Sequence, residues 1–154
     1  MPNQSDRTEN GSEIKLHVDA LSVALDAVSD RWSLHIVRAL ALGSHRYTEL
    51  VRALGTPRDV LAGRLRRLTE EGIVRAVSET PGGRPRGYEL TDKGHDLGQV
   101  ILVLKRWGDR YGAEDLPRRT IVHVPCGQPF VAEVRCEQCG REVATGELQS
   151  PKEA

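Results

Sequence analysis

Apolar positions recur at three- and four-residue spacing through most of the first 110 residues, with one interruption where the spacing drops to two. Spacing of the first kind puts side chains on one helical face, and spacing of the second marks a strand. From about His17 to Ser29, the residues Leu21, Leu25 and Val28 form one stripe. Asp30 then stands as an N-cap for a second helix, Arg31 to Leu42, ended by Gly43. Its core face carries Trp32, Ile36, Val37 and Leu40. A short third helix, near Tyr47 to Leu54, turns Leu50 and Leu54 inward. Gly55 and Thr56 make a tight turn into TPRDVLAGRLRRLTEEG, residues 56–72. There Thr56 is expected to cap, Pro57 fills the first helical position, and Gly72 suits the left-handed turn that ends a helix. Leu61, Leu65 and Leu68 share its inner face.

After Gly72 the run from Ile73 to Ser78 alternates and predicts a strand. Pro81, Gly82, Gly83, Arg84, Pro85, Arg86 and Gly87 break it, and Tyr88, Glu89 and Leu90 resume extended chain, which closes a β-hairpin. Thr91 caps a last helix, Asp92 to Tyr111, striped by Leu97, Val100, Ile101, Leu104, Trp107 and Tyr111. That helix is roughly 30 Å long. The predicted fold class is therefore mainly α with a small β-hairpin wing (α+β). A continuous apolar face on so long a helix needs a partner, and the pattern suggests the first and last helices of a second subunit.

Helix, short helix, glycine-containing turn and longer helix is the helix-turn-helix order. On the fourth helix, Asp59, Ala62, Gly63, Arg66 and Arg67 fall opposite the leucines. Small side chains let a helix axis approach a surface, and Arg reaches phosphates and guanine edges. Two readings follow: a recognition helix in the major groove of double-stranded DNA, or a solvated amphipathic face. The hairpin tip carries Arg84 and Arg86 and no acidic group, as a wing on the backbone or in a minor groove requires. Base reading falls to Arg58, Asp59, Ala62, Gly63 and Arg66, with Thr56 beside them at the helix entry. Phosphate contacts fall to Arg46, Arg52 and the wing, Arg67 serves either role, and Arg64 sits where it would brace the helix.

The net charge of zero conceals a strong asymmetry. Residues 1–30 carry net −4, residues 31–87 carry net +6 with eleven arginines and no lysine, and residues 88–154 carry net −2. The basic middle coincides with the helix-turn-helix and wing. No apolar run reaches the ~18 residues needed to span a bilayer. No charged, apolar, then small-residue leader opens the chain, which points to a cytoplasmic protein. Length allows one domain with an appendage. The expected division is a disordered tail at residues 1–13, a DNA-binding and dimerisation domain at 14–112, a C-terminal segment at 118–146 and a second disordered tail at 147–154. No nucleophile stands with a paired base, so an enzyme is the least supported class. A protein-interaction module built on the winged fold is the competing reading, and nothing names a small-molecule effector, for which a site between the core and the dimer helices is the expectation.

All three cysteines lie in the last third. HVPCG at residues 123–127 and CEQCG at residues 136–140 share one pattern: ligand, two residues, ligand, glycine. Two-residue spacing lets a pair converge on one ion, and the glycine permits the turn behind it. His123, Cys126, Cys136 and Cys139 would form a closed structural Zn²⁺ set, one ion per subunit, as in a zinc ribbon. Phe130, Val131 and Val134 between the pairs suffice for a short hairpin. The other readings are three buried thiols with an incidental histidine, and a redox pair at Cys136 and Cys139.

Several pieces in this order match a known family. They are DRW at Asp30 to Trp32, RYTEL at Arg46 to Leu50, GTPRDVLAGRLRRLTEEGIV at Gly55 to Val74, YELTDKG at Tyr88 to Gly94 and KRWGD at Lys105 to Asp109. The chain resembles the HxlR-type winged helix-turn-helix transcriptional regulators, relatives of the MarR group, over most of residues 19–143. The resemblance implies a homodimeric bacterial DNA-binding regulator, a repressor on a palindromic operator. It implies dimer contacts from the first and last helices, the helix from Pro57 in the major groove and the hairpin around Arg84 as the wing. Two departures stand out. Several relatives sense oxidants or electrophiles through a first-helix cysteine, where this chain has Asp19 and so lacks that route, and Asp59 stands where many relatives have a polar uncharged or basic residue. Asp59 either accepts a bond from cytosine N4 or favours the helix N-terminus electrostatically.

Overall fold

The computed structural model describes residues 19–149, except positions 79, 82, 84, 116 and 118. Both expected terminal tails lie outside or mostly outside these residues, as does Arg84. Five helices and one hairpin form the core: α1 (Ala20–Val28), α2 (Arg31–Ala41), α3 (Tyr47–Leu54), α4 (Arg58–Glu70), β1 (Val74–Val77), β2 (Gly87–Leu90) and α5 (Asp92–Tyr111). α2 is the hub, packed against α3, α4, α5 and β2. Ile36, Val37 and Leu40 from α2 meet Leu50 from α3, Leu61, Leu65 and Leu68 from α4, Ile73, Val74 and Leu90 from the hairpin, and Ile101 from α5. The three leucines of α4 are buried as their spacing predicts.

Local chemistry sets the boundaries. The Asp30 carboxylate accepts from the backbone N–H groups of Trp32 and Ser33 and so caps α2. Glu49 reaches back to accept from the Arg46 N–H at 2.9 Å and starts α3. Gly55 and Gly72, at φ 59° and 68°, take the left-handed turns that end α3 and α4. The Thr91 hydroxyl accepts from the Gly94 N–H and caps α5.

Three sequence expectations are corrected. α1 begins at Ala20, capped by Asp19, which accepts from both the N–H and the hydroxyl of Ser22. Of its stripe, Val28 packs against the core while Leu21 and Leu25 are exposed. Trp32 stays out of the core too: it is half-buried, with the Arg31 guanidinium 4.8 Å above its ring. Ser33 occupies the buried position instead, its hydroxyl donating to Asp30 at 2.5 Å. Finally, Thr56 does not cap α4. Pro57 holds the cap position without a side-chain bond, while Thr56 is buried with its hydroxyl unpartnered.

β1 and β2 pair antiparallel, from Val74 opposite Leu90 to Val77 opposite Gly87. The far edge of β2 receives the loop before α3, where the Tyr88 N–H donates to the His45 carbonyl at 2.8 Å. In β1 only Val74 is buried, so the hairpin projects from the core. Beyond α5, Arg106 donates to the Ala132 carbonyl at 2.6 Å and pairs with Glu142, which docks the C-terminal segment on that helix.

Candidate nucleic-acid interface and the C-terminal turns

α4 is held so that its outer face is free. The Tyr47 hydroxyl donates to the Arg58 carbonyl at 2.7 Å and fixes the entry of α4 against α3. At the other end, Lys93 donates to the Glu71 carbonyl at 2.7 Å, a cation placed on a helix C-terminus. Arg64 pairs with Asp30 at 3.3 Å and braces α4 against α2. Burial raises the Asp30 pKa, but the Ser33 hydroxyl and N–H, Arg64 and the Trp32 N–H overcome it and hold the carboxyl below its ordinary range.

The structure divides the predicted site residues into two sets. Arg58, Asp59, Ala62, Gly63 and Arg66 are all exposed on α4, and Arg46 and Arg52 are exposed on α3. Arg86 is exposed at the base of the wing, its N–H bonded to the Val77 carbonyl. Thr56 and Arg67 leave this set. Thr56 is buried, and the Arg67 guanidinium turns back to donate to the Asp26 carbonyl. Helical spacing placed Arg67 on the outer face, but its long side chain reaches the end of α1, a contact that no local pattern encodes. Tyr47 was missed for the same reason, since its hydroxyl acts across the turn.

Gly63 is informative among these. A Cβ built on it would meet nothing within 4 Å. No neighbour in the fold therefore requires glycine in the middle of α4, where glycine costs about 0.5–1 kcal/mol relative to alanine. Gly94 is the contrast: a Cβ there would stand 2.2 Å from the Ile73 carbonyl oxygen.

The C-terminal residues form two turns. The first lies between β3 (Val122–His123) and β4 (Gln128–Pro129), and the second is closed by the bridge between Arg135 and Glu142. The short hairpin therefore forms across each ligand pair rather than between the pairs, where Phe130 to Val134 serves as a connector. His123 Nδ1 lies 3.2 Å from Cys126 Sγ. Hydrogen bonds from the backbone N–H groups of Cys139 and Gln138, then from the Cys139 thiol, hold Cys136 below the ordinary thiol range. Among the described residues, no three His, Cys, Asp or Glu side chains gather as a metal-holding group. Two open clefts, of about 330 and 480 Å³, lie between α5 and residues 121–135.

The model of the HxlR-like helix-turn-helix family matches residues 27–116. The chain belongs to this family. An HTH-type transcriptional regulator of Mycobacterium tuberculosis, Rv3095, is 36% identical over 126 residues, which cover 81% of this chain and 80% of that one. The crystal structure of PA1607 aligns with a TM-score of 0.77 at 32% identity, covering 90% of this chain and 98% of its own. The reduced form of the transcriptional regulator YodB from B. subtilis aligns at a TM-score of 0.52 and 26% identity, over 60% of this chain and 91% of its own. This protein is thus a transcriptional regulator with a helix-turn-helix DNA-binding fold, in a family of regulators and not of enzymes. Among the described residues, no helix is long and apolar enough to cross a membrane.

Proposed function

We propose that this protein is a sequence-specific repressor that binds a palindromic operator as a homodimer. The observation that carries the reading is the outer face of α4, where a helix-weakening glycine with open space around it stands among exposed Arg58, Asp59, Ala62 and Arg66. That combination suits a helix axis that must approach base edges closely, with Arg66 and Arg58 reading bases and Arg46 and Arg52 setting register on phosphates. Asp59, in the first turn of α4, favours the positive helix end and leaves the arginines to face the DNA. The dimer is supported by the apolar side chains left open on α1 and α5, and repression follows from occluding the operator.

The test is a binding comparison on an operator selected from random DNA. Arg66→Ala is expected to cost about 1–3 kcal/mol on the operator and to relax specificity at one position, while Arg52→Ala weakens operator and random DNA alike. Binding should fall steeply as salt rises. Equal losses on both DNAs for Arg66→Ala would overturn the base-reading role, and salt-independent binding would overturn the DNA reading.

A further inference from the structure

Residues 119–149 have almost no core. Among the described ones only Ala132 is buried, while Val122, Val124, Val131, Val134 and Leu148 are each at least half exposed. A segment this small, with so little apolar burial of its own and held to α5 through Arg106, is of the kind that a covalent or metal cross-link commonly stabilises. The three cysteines are free, so no disulfide supplies it. Yet the chain builds the same turn twice. The Gly127 N–H returns to the His123 carbonyl at 2.8 Å, and the Gly140 N–H returns to the Cys136 carbonyl at 2.7 Å. Both glycines are left-handed, at φ 68° and 69°. Each turn sits on a short antiparallel pairing, and each brings two metal-capable side chains to its two ends. Cys126 and Cys139 are exposed, so no packing role accounts for them.

We propose that these turns are the halves of one structural Zn²⁺ site, with His123, Cys126, Cys136 and Cys139 as its four ligands. His123 lies against Cys126 and Cys136 against Cys139, and among the described residues no three such side chains gather. The ion is the cross-link that would join the two pairs, since no disulfide does. Three thiolates and one imidazole complete a tetrahedron, the geometry and donor softness that Zn²⁺ takes in closed sites. On binding, three thiols release their protons to solvent, so uptake is tighter at higher pH. With no open position, the ion does no chemistry and serves as a clasp.

The experiment is a Co²⁺ titration of the full chain, reduced and stripped of metal, under anaerobic conditions. The expected result is one Co²⁺ per chain, with sulfur-to-cobalt charge transfer and tetrahedral ligand-field absorption, displaced by one equivalent of Zn²⁺. Cys126→Ser and Cys136→Ser, one from each turn, should each abolish stoichiometric uptake. His123→Cys should keep it and strengthen the charge-transfer band, which guards against variants that merely fail to fold. Two ions per chain, uptake surviving loss of either turn, or a weak octahedral spectrum would overturn the shared site. A Cys136–Cys139 disulfide forming equally fast with and without Zn²⁺ would overturn it in favour of a redox pair.

Discussion

Gly63 and Gly94 are the same residue under opposite constraints. Gly94 is required because the Ile73 carbonyl lies where its Cβ would be, in the close packing of α5 on the start of the hairpin. Gly94→Ala is expected to destabilise by about 2 kcal/mol, read as a lowered urea midpoint. Gly63 has open space instead, so Gly63→Leu should stabilise the fold by about 0.5–1 kcal/mol while weakening operator binding at least tenfold. Opposite signs in the two measurements separate a surface kept clear for DNA from a structural glycine, and a gain in both would refute the close approach. The one-dimensional pattern places Gly63 as a small residue on the outer face of its helix, but it gives no sign that Gly94 is required, because the Ile73 carbonyl that demands it lies far back in the chain. Thr56 makes the same point from the other side: its place before Pro57 suggests a cap, and its burial shows that the turn was closed by packing.

The caps show what short-range pattern can convey. Asp30, Thr91 and Asp19 each accept from an N–H two or three residues ahead, so their function needs no distant partner. The start of α2 nevertheless draws on α4, because Arg64 pairs with the same Asp30 carboxylate. Asp30→Ala removes the cap, strands the buried Ser33 hydroxyl and frees Arg64; it is expected to cost about 2 kcal/mol near neutral pH. The Asp30 carboxyl titrates below its ordinary range in the folded chain, so its contribution is full above the unfolded value near 3.9 and is lost as pH falls through the folded one. Urea unfolding between about pH 6 and pH 3 should therefore show the wild type losing its advantage over Asp30→Ala as the solution acidifies. A constant gap across that range would contradict the assignment.

At the level of the whole molecule, the unfilled surface matters most. Leu21 and Leu25 on α1 and Val100, Leu104, Trp107 and Tyr111 on α5 are each roughly half to two-thirds exposed. Apolar side chains in such number, on the two helices that flank the core, suit a second subunit. Trp107→Glu is expected to shift sedimentation from dimer to monomer with unchanged far-ultraviolet circular dichroism. Operator affinity should drop at least tenfold, because a monomer reaches one half-site only. A Trp107→Glu protein that still sediments as a dimer would move the interface elsewhere.

Sequence pattern alone determined the helix order, the turn between α3 and α4, the hairpin and the leucines of the core. These depend on spacing, capping and glycine conformations that act over a few residues. The candidate DNA face followed too, because helical geometry ties Arg58, Asp59, Ala62, Gly63 and Arg66 to the side opposite the leucines. Tertiary structure decided which groups stay on that face. Arg67 is drawn to the Asp26 carbonyl and Thr56 is buried at the turn, since long side chains and tight corners answer to neighbours distant in the chain. It also decided that the stripes of α1 and α5 are only partly used within one subunit: periodicity reports that a face is apolar, and only packing reports what covers it.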